Sequence, residues 1–243
     1  MVAILFVSHS FKLAQGTLEL VKQMAGPELS MRVAAGIGED NLEIGTNAVE
    51  ISEALIALDN PDGTLVLMDL GSALLSTQMA LEMLDEKQRA RVKLSAAPFV
   101  EGALAAGVKA AMGAPLAEVD QEAMLGLKAK EESLMSNPVS PVEEENPVEQ
   151  APETLELVRT VTNATGLHAR PATLFAKAIG GKNAKTMVTN LSTGKGPVAI
   201  NGLIAVLLLG AKQGNELKIS ITGPEAQKVA DELEELFQNN FGE

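Results

Sequence analysis

Short apolar segments alternate with longer segments of helical spacing along the first 133 residues. The short segments predict strands at residues 3–7, 31–34, 64–68 and 92–94. The longer ones place apolar residues at helical intervals and predict helices at residues 13–24, 49–58, 73–84 and 100–111. Continuous apolar strands that alternate with helices are typical of a mostly parallel sheet covered by helices on both faces. We therefore predict an α/β domain over residues 1–133.

Residues 154–243 have a different order of elements. Alternation of apolar and polar residues predicts strands near residues 155–161, 186–190, 198–200 and 216–221. Helical spacing predicts helices at residues 168–179, 202–209 and 224–237. The order β-α-β-β-α-β-α is typical of helices on one face of an antiparallel sheet, so we predict an α+β open-faced sandwich.

The segment between the two predicted domains, residues 134–153, is a predicted linker. It contains four Pro and five Glu and no basic residue. Proline at this density interrupts helices and strand ladders, and uncompensated charge keeps a chain extended. A flexible segment of this length has a root-mean-square reach of roughly 25 Å, which gives tethered domains an effective concentration near the millimolar range.

Net charge is negative and unevenly distributed. The chain has 19 Lys and Arg against 32 Asp and Glu, which gives −13. Residues 1–133 carry −9, the linker −5 and residues 154–243 +1. Nucleic-acid-binding proteins concentrate basic residues on one face and add aromatic residues for stacking, whereas this chain has six Phe and no Trp or Tyr. We therefore predict no nucleic-acid partner.

The residue counts also exclude several kinds of chemistry. With no Cys there is neither a disulfide nor a thiolate, and two His cannot form a three-histidine metal site. We predict no metal and no cofactor. Apolar runs such as residues 203–209 are far shorter than the roughly 20 residues of a membrane span, and residues 1–7 are predicted to form a buried strand and not a signal peptide. We expect a cytoplasmic protein with no membrane span.

The two histidines follow apolar strands directly and stand where helices begin. A helix N-terminus offers unpaired N–H groups to phosphate, and a neutral imidazole can carry a phosphoryl group. Near His9 we predict that Asp69 orients the ring and that Gly71 and Ser72 bind phosphate with their N–H groups. Alternatively, His9 is a turn or cap residue and Asp69 a helix cap.

The second histidine belongs to a more distinctive string, residues 163–172, Asn-Ala-Thr-Gly-Leu-His-Ala-Arg-Pro-Ala. Gly166 permits a tight backbone approach, and Pro171 suits the first turn of a helix. Arg170 is close enough in sequence to neutralise a phosphoryl group on His168. We predict that His168 carries phosphate, with Arg170 and the start of the helix at Ala169 binding it.

Residues 166–172 resemble the active-site signature of HPr, the histidine-containing phosphocarrier of the bacterial phosphotransferase system. The resemblance extends over residues 154–243 and includes residues 201–210. It implies that His168 is the phosphoryl carrier and Arg170 its phosphate partner. Gly202 stands where many members have a regulatory serine, so control by a serine kinase is not implied here.

The first domain is similar to the mannose-type IIA domains of the same system. Residues 7–10, Val-Ser-His-Ser, and residues 68–76, Met-Asp-Leu-Gly-Ser-Ala-Leu-Leu-Ser, carry this resemblance. It implies phosphorylation of His9 and its orientation by Asp69. The form fused to an HPr domain is typical of the phosphoryl-donor subunits of phosphoenolpyruvate-dependent dihydroxyacetone kinase, and members of the family dimerise through the IIA domain.

The resemblance implies a phosphoryl relay. Phosphate would pass from enzyme I through His168 and His9 to ADP on the nucleotide-binding subunit of the kinase, whose substrate-binding subunit holds dihydroxyacetone. Some relatives carry an enzyme-I-like third domain, and because this sequence stops at Glu243 we expect a separate enzyme I. Neither domain has a GxxxxGK[ST] loop for nucleotide chemistry of its own.

Three alternatives remain open from the sequence. A IIA–HPr fusion could instead feed the IIB domain of a mannose-type sugar transporter, which would change only the acceptor. A non-catalytic regulator would change its affinity for a partner on phosphorylation without passing phosphate on. A scaffold with two structural histidines would leave residues 166–172 unexplained.

Overall fold

The computed structural model describes residues 1–135 and 154–242, which divide into two compact units, Met1–Leu127 and Lys128–Glu243. The first unit alternates strands and helices. In chain order these are β1 (Ala3–Ser8), α1 (Phe11–Ala25), β2 (Met31–Ala35), α2 (Ala48–Ala57), β3 (Thr64–Met68), α3 (Gly71–Glu82), α4 (Glu86–Arg89), β4 (Val92–Leu94), α5 (Phe99–Ala111) and α6 (Leu116–Met124).

The four strands of the first unit form one parallel sheet in the order β2-β1-β3-β4. All six residues of the central strand β1 are buried. Ile4 and Phe6 belong to the core on the α1, α5 and α6 face, and Leu5 and Val7 to the core on the α2 and α3 face. A strand buried on both sides needs apolar residues at every position, and the predicted parallel sheet with helices on both faces is confirmed.

Several helix boundaries in the first unit differ from the sequence prediction, and two helices of this unit were not predicted. α1 begins at Phe11, two residues early, because the Ser10 hydroxyl caps it by accepting the Leu13 N–H at 3.3 Å. α3 likewise begins at Gly71. The unpredicted helices are α4, one turn capped by the Asp85 carboxylate, and α6, which begins after a proline. The Gly-Ser start of α3 and the single turn of α4 give no apolar period to detect.

The second unit contains one antiparallel sheet and the helices that pack on it. Its elements are α7 (Lys128–Met135), β5 (Thr154–Thr160), α8 (Ala169–Ile179), β6 (Lys185–Asn190), β7 (Lys195–Ala199), α9 (Leu203–Leu208), β8 (Glu216–Thr222) and α10 (Ala226–Gln238). The strand order is β5-β8-β6-β7. From β5 onward the predicted order β-α-β-β-α-β-α is confirmed.

One face of the second sheet is covered and the other is open. In β8, Leu217, Ile219 and Ile221 are buried, whereas the residues between them are partly exposed. α10 packs on β5 and β8 and against α8. The predicted open-faced sandwich is therefore confirmed, with the last helix beginning at Ala226 and not at the proline two residues earlier.

The predicted linker falls almost entirely outside the described residues. Only its first two residues are described, and they form the end of α7, a helix that the apolar pattern did not predict. A helix can extend this far because the first proline of the segment is Pro138. Within the described ranges, none of the helices combines the length and the apolar character that crossing a bilayer requires.

Candidate functional site

The neighbouring parallel strands β1 and β3 bring His9 and Asp69 together. Val7 pairs with Met68 in the sheet, so the residues that follow both strands emerge at the same edge. This is the edge at which open α/β sheets bind their ligands. The His9 side chain is 17% exposed and the Asp69 side chain 9% exposed. The pair is therefore largely enclosed, yet the imidazole is still accessible from outside.

Asp69 accepts hydrogen bonds on both carboxylate oxygens. Oδ1 lies 3.0 Å from His9 Nδ1 and 2.7 Å from the Leu70 backbone nitrogen. Oδ2 accepts the His9 backbone N–H at 2.9 Å and the Ser8 hydroxyl at 2.8 Å. Ser8 is fully buried, and its oxygen also accepts the Ser10 N–H at 3.0 Å. Four donors thus hold the carboxylate in one orientation.

These contacts set the ionisation of Asp69 and the tautomer of His9. Burial raises the pKa of Asp69, but hydrogen bonds from the His9 backbone, the His9 ring and Ser8 outweigh it and lower the pKa below its ordinary value. An ionised carboxylate only accepts hydrogen bonds, so Nδ1 of His9 carries the proton. The lone pair of the neutral ring is then on Nε2, where the Ser72 hydroxyl donates to it at 2.8 Å.

The start of α3 lies directly beside Nε2. Leu70, the residue before the helix, provides no side-chain cap, and Gly71 and Ser72 form its first turn. Space is open where a side chain would extend from Gly71. First-turn N–H groups have no partner within their own helix and favour anions. The structure therefore brings together four of the predicted site residues: His9, Asp69, Gly71 and Ser72.

A cleft of about 450 Å³ adjoins this site on the far side of Asp69. It lies between the β3–α3 and β4–α5 connections and is lined by residues 68–71, Leu74 and residues 94–99. Its lining is mainly apolar, and it shares residues 69–71 with the His9 site. A partner that reaches His9 could therefore also contact the cleft.

Sequence reasoning missed the loop between β2 and α2, residues 36–47. The Gly45 N–H donates to the His9 carbonyl at 3.0 Å, and the hydroxyls of Thr46 and Ser76 lie 2.7 Å apart. Sequence reasoning also gave Ser8 no role of its own, although it is adjacent to His9. No motif marks the loop, because its contact with His9 arises from the neighbouring strands β1 and β2.

The second histidine, His168, directly precedes α8 and is exposed. Gly166 has φ +69°, and a Cβ there would lie 2.5 Å from the Ala211 carbonyl oxygen, so only glycine fits. Asn163 secures this turn by donating its Nδ2 hydrogen to the Gly166 carbonyl at 2.8 Å. The close contact at Gly166 and this hydrogen bond thus fix the backbone immediately before the histidine.

The predicted phosphate partners of His168 lie in the first turn of α8. Ala169 is the first residue of the helix, and Arg170, the second, is exposed. Pro171 follows and is buried, at a position where the missing N–H leaves no hydrogen bond unmade. The structure therefore places His168, Ala169 and Arg170 at one helix N-terminus, as predicted.

Comparisons with known proteins match both units. Residues 3–120 match the family model described as the PTS system fructose IIA component, and residues 156–239 match the PTS HPr component phosphorylation site. The phosphoryl donor subunit DhaM of PEP-dependent dihydroxyacetone kinase from Escherichia coli K12 is 37% identical over 245 residues, covering 100% of this chain and 51% of that protein. The chain thus spans about half the length of this relative.

Two shorter relatives each match one unit. The phosphoryl donor subunit DhaM of PEP-dependent dihydroxyacetone kinase 2 from Listeria innocua is 36% identical over 109 residues, 45% of this chain and 86% of that protein. The phosphocarrier protein HPr of Chlamydia trachomatis is 36% identical over 89 residues, 37% of this chain and 79% of that protein. With a IIA component followed by an HPr component, the chain belongs to the family of DhaM phosphoryl donor subunits of PEP-dependent dihydroxyacetone kinases.

Proposed function

We propose that this chain is a phosphoryl relay. Phosphate enters at His168 from enzyme I, moves to His9 and leaves to ADP bound on the nucleotide-binding subunit of dihydroxyacetone kinase. The observation that carries the proposal is the 3.0 Å contact between His9 Nδ1 and Asp69 Oδ1, which leaves Nε2 as a nucleophile beside a helix N-terminus. The names of the relatives support the same role.

The step at His9 uses the two ring nitrogens differently. The Nε2 lone pair attacks phosphorus on phosphorylated His168, and the N–P bond there breaks with its electron pair returning to the His168 ring. The Nδ1 proton stays on His9, so the phosphorylated ring is cationic. Asp69 then faces this cation. In the onward step, an oxygen of the ADP terminal phosphate attacks phosphorus, the N–P bond to His9 breaks and ATP forms.

Ser72 has two positions in this cycle. In the structure its hydroxyl donates to Nε2 and occupies the direction from which phosphorus must approach. It must therefore turn away before the bond forms. Once released, this hydroxyl and the N–H groups of Gly71 and Ser72 can donate to the phosphoryl oxygens, which the partial positive charge of the helix N-terminus also favours.

At His168 the donors come from α8. The Ala169 N–H belongs to the first turn of the helix, and Arg170 is exposed beside it. A guanidinium group can hold two phosphoryl oxygens with a planar pair of hydrogen bonds. Exposure of the histidine suits a residue that must meet two successive partners, first enzyme I and then His9.

The Asp69→Asn variant should transfer phosphate through His9 about 100-fold more slowly. The amide lacks the negative charge that faces the phosphorylated ring, and its NH2 group meets donors where the carboxylate accepted them. Single-turnover labelling of His9 measures the effect. Asp59→Asn is the control. It also removes a carboxylate that accepts hydrogen bonds, here from Arg91, but at a position away from the site. Equal rates in both variants would contradict the assignment.

Acid unfolding checks the same residue independently. The pKa of Asp69 in the folded protein lies below the ordinary value of 3.8, so the ionised carboxylate stabilises the fold above that pH. This contribution disappears as the pH falls below 3.8 through the folded pKa. The difference in stability between wild type and Asp69→Asn should therefore shrink over this range in unfolding measurements by circular dichroism.

The identity of the acceptor is tested by adding two candidate acceptors separately to the phosphorylated chain. Phosphoenolpyruvate and enzyme I load the chain, and the nucleotide-binding kinase subunit with ADP or a mannose-type IIB domain is then added. We expect conversion of ADP to ATP at a rate that falls as salt is raised, because residues 1–133 carry −9 and favour a partner with a basic rim. Transfer to the IIB domain without turnover of ADP would assign the chain to sugar transport instead.

We also propose a homodimer formed through the first unit. Leu75 and Met79 of α3 and Met83 directly after it form a stripe of residues spaced four apart, and each is more than half exposed. Such a stripe on one helix favours a protein contact. Sedimentation should give about twice the chain mass of 25.4 kDa, and Met79→Lys should give monomers. Leu191→Lys, a comparably exposed position in the second unit, is the control and should leave the dimer intact.

A further inference from the structure

The loop of residues 36–47 is a small closed structure that holds the backbone of His9. Ile37 and Glu43 exchange N–H to carbonyl hydrogen bonds in both directions at 3.0 Å, which closes the loop. Next along the chain, the Gly45 N–H donates to the His9 carbonyl at 3.0 Å. Because Asp69 holds the His9 N–H, both backbone polar groups of the histidine are fixed, each by a different segment.

A hydroxyl pair connects this loop to α3. The Thr46 and Ser76 oxygens lie 2.7 Å apart, the usual distance for a hydrogen bond between two hydroxyls, and both side chains are partly buried. Ser76 is one helical turn beyond Ser72, so the two serines lie on the same side of α3. The segment that fixes the His9 backbone is therefore bonded to the helix whose first turn faces Nε2.

We propose that Thr46 and Ser76 are positioning residues for phosphoryl transfer at His9. Their hydrogen bond sets the distance between Nε2 and the N–H groups that begin α3, and neither side chain touches the reacting atoms. The inference rests on the proposed function of His9 as a phosphoryl carrier. In-line attack on phosphorus depends steeply on the relative position of the attacking nitrogen and the phosphoryl group. An error of about 1 Å in that position can lower the rate by up to about 10²-fold.

The test uses isosteric and conservative variants of the pair. Thr46→Val removes the hydroxyl and keeps the shape, whereas Thr46→Ser keeps the hydroxyl. In a His168→Ala background, with separately added phosphorylated HPr as the only donor, we expect Thr46→Val and Ser76→Ala each to lower the single-turnover rate of His9 labelling at saturating HPr about 10-fold. The half-saturating HPr concentration should be unchanged. Thr46→Ser should restore the rate. The double variant should be no slower than either single variant, because both changes remove one bond.

Thr77→Val is the matched control. Thr77 is the next residue of α3, fully buried, and its hydroxyl donates only within the helix, to the Ala73 carbonyl at 2.8 Å. Its loss removes a threonine hydroxyl from the same helix without affecting the loop. Transfer at the wild-type rate is expected. Equal slowing in Thr77→Val and Thr46→Val would overturn the proposal, as would a double variant whose losses add.

A measurement without any partner protein separates this proposal from the function on which it rests. Amide hydrogen exchange of Gly45, followed by NMR, should be faster in Thr46→Val and unchanged in Thr77→Val, since only the first releases the loop. If His9 of the His168→Ala chain, with Thr46 unchanged, accepts no label from phosphorylated HPr, the proposed function fails. If His9 of that chain is labelled and Thr46→Val matches its rate, the function stands and the positioning role is wrong.

Discussion

Replacing His9 by Ala should abolish ATP formation while leaving the chain able to accept phosphate. Enzyme I and phosphoenolpyruvate should label this variant at His168 alone, because the Nε2 nucleophile held by Asp69 is gone. The label should remain on the chain when the ADP-loaded kinase subunit is added. The expected loss is complete, since the site contains no second imidazole and the only other histidine lies in the HPr component. Acid-labile phosphate located by peptide mass spectrometry provides the measurement.

Ser72→Ala is the companion to the His9→Ala variant. It removes the hydroxyl bonded to Nε2 but keeps the imidazole and its carboxylate partner, so it should retain transfer at a reduced rate. Formation of ATP at the wild-type rate by His9→Ala would mean that phosphate leaves directly from His168. The IIA component would then not be the donor to the kinase.

Replacing His168 by Ala should prevent enzyme I from loading His9. His168 directly precedes α8, and the position two residues before it, Gly166, has room for glycine only. The first unit offers enzyme I no comparable string of residues. Addition of a separate HPr should restore labelling of His9, because the change leaves the first unit intact. Labelling of His9 at the normal rate without an added carrier would show that the internal relay is wrong.

Mixing the two inactive variants tests the relay as a whole. A His9→Ala chain still loads phosphate at His168, and a His168→Ala chain still has His9 to receive it. Transfer between the chains should restore ATP formation. When both variants also carry Met79→Lys and are monomeric, the rate should rise with protein concentration, because the donor is no longer tethered to its acceptor. No recovery at any concentration would contradict direct transfer between the two histidines.

Local sequence determined the strands, the main helices and the position of each histidine. Ile4 to Val7 form a continuous apolar run because a central parallel strand is buried on both faces, so its position followed from the pattern alone. The string around His168 was equally informative, since Gly166 has a positive φ that favours glycine and Pro171 lies in the first turn of the helix that follows the histidine. The resemblance to HPr rested on this string.

Short or weakly periodic helices were not predictable in the same way. α6 spans only nine residues, and its burial comes from packing against α5. α4 is a single turn that depends on its Asp85 cap. In such segments tertiary contacts and caps decide the structure more than an apolar period does.

Only the tertiary structure decided how the His9 site is assembled. Its contacts join residues some 30 to 60 positions apart: Ser8 and His9 with Asp69, His9 with Ser72, and Thr46 with Ser76. They depend on the order β2-β1-β3 and on the register that aligns Val7 with Met68, which no local pattern encodes. The sequence therefore determined which residues could carry phosphate, whereas lateral packing of parallel strands determined which carboxylate, hydroxyls and backbone N–H groups surround His9.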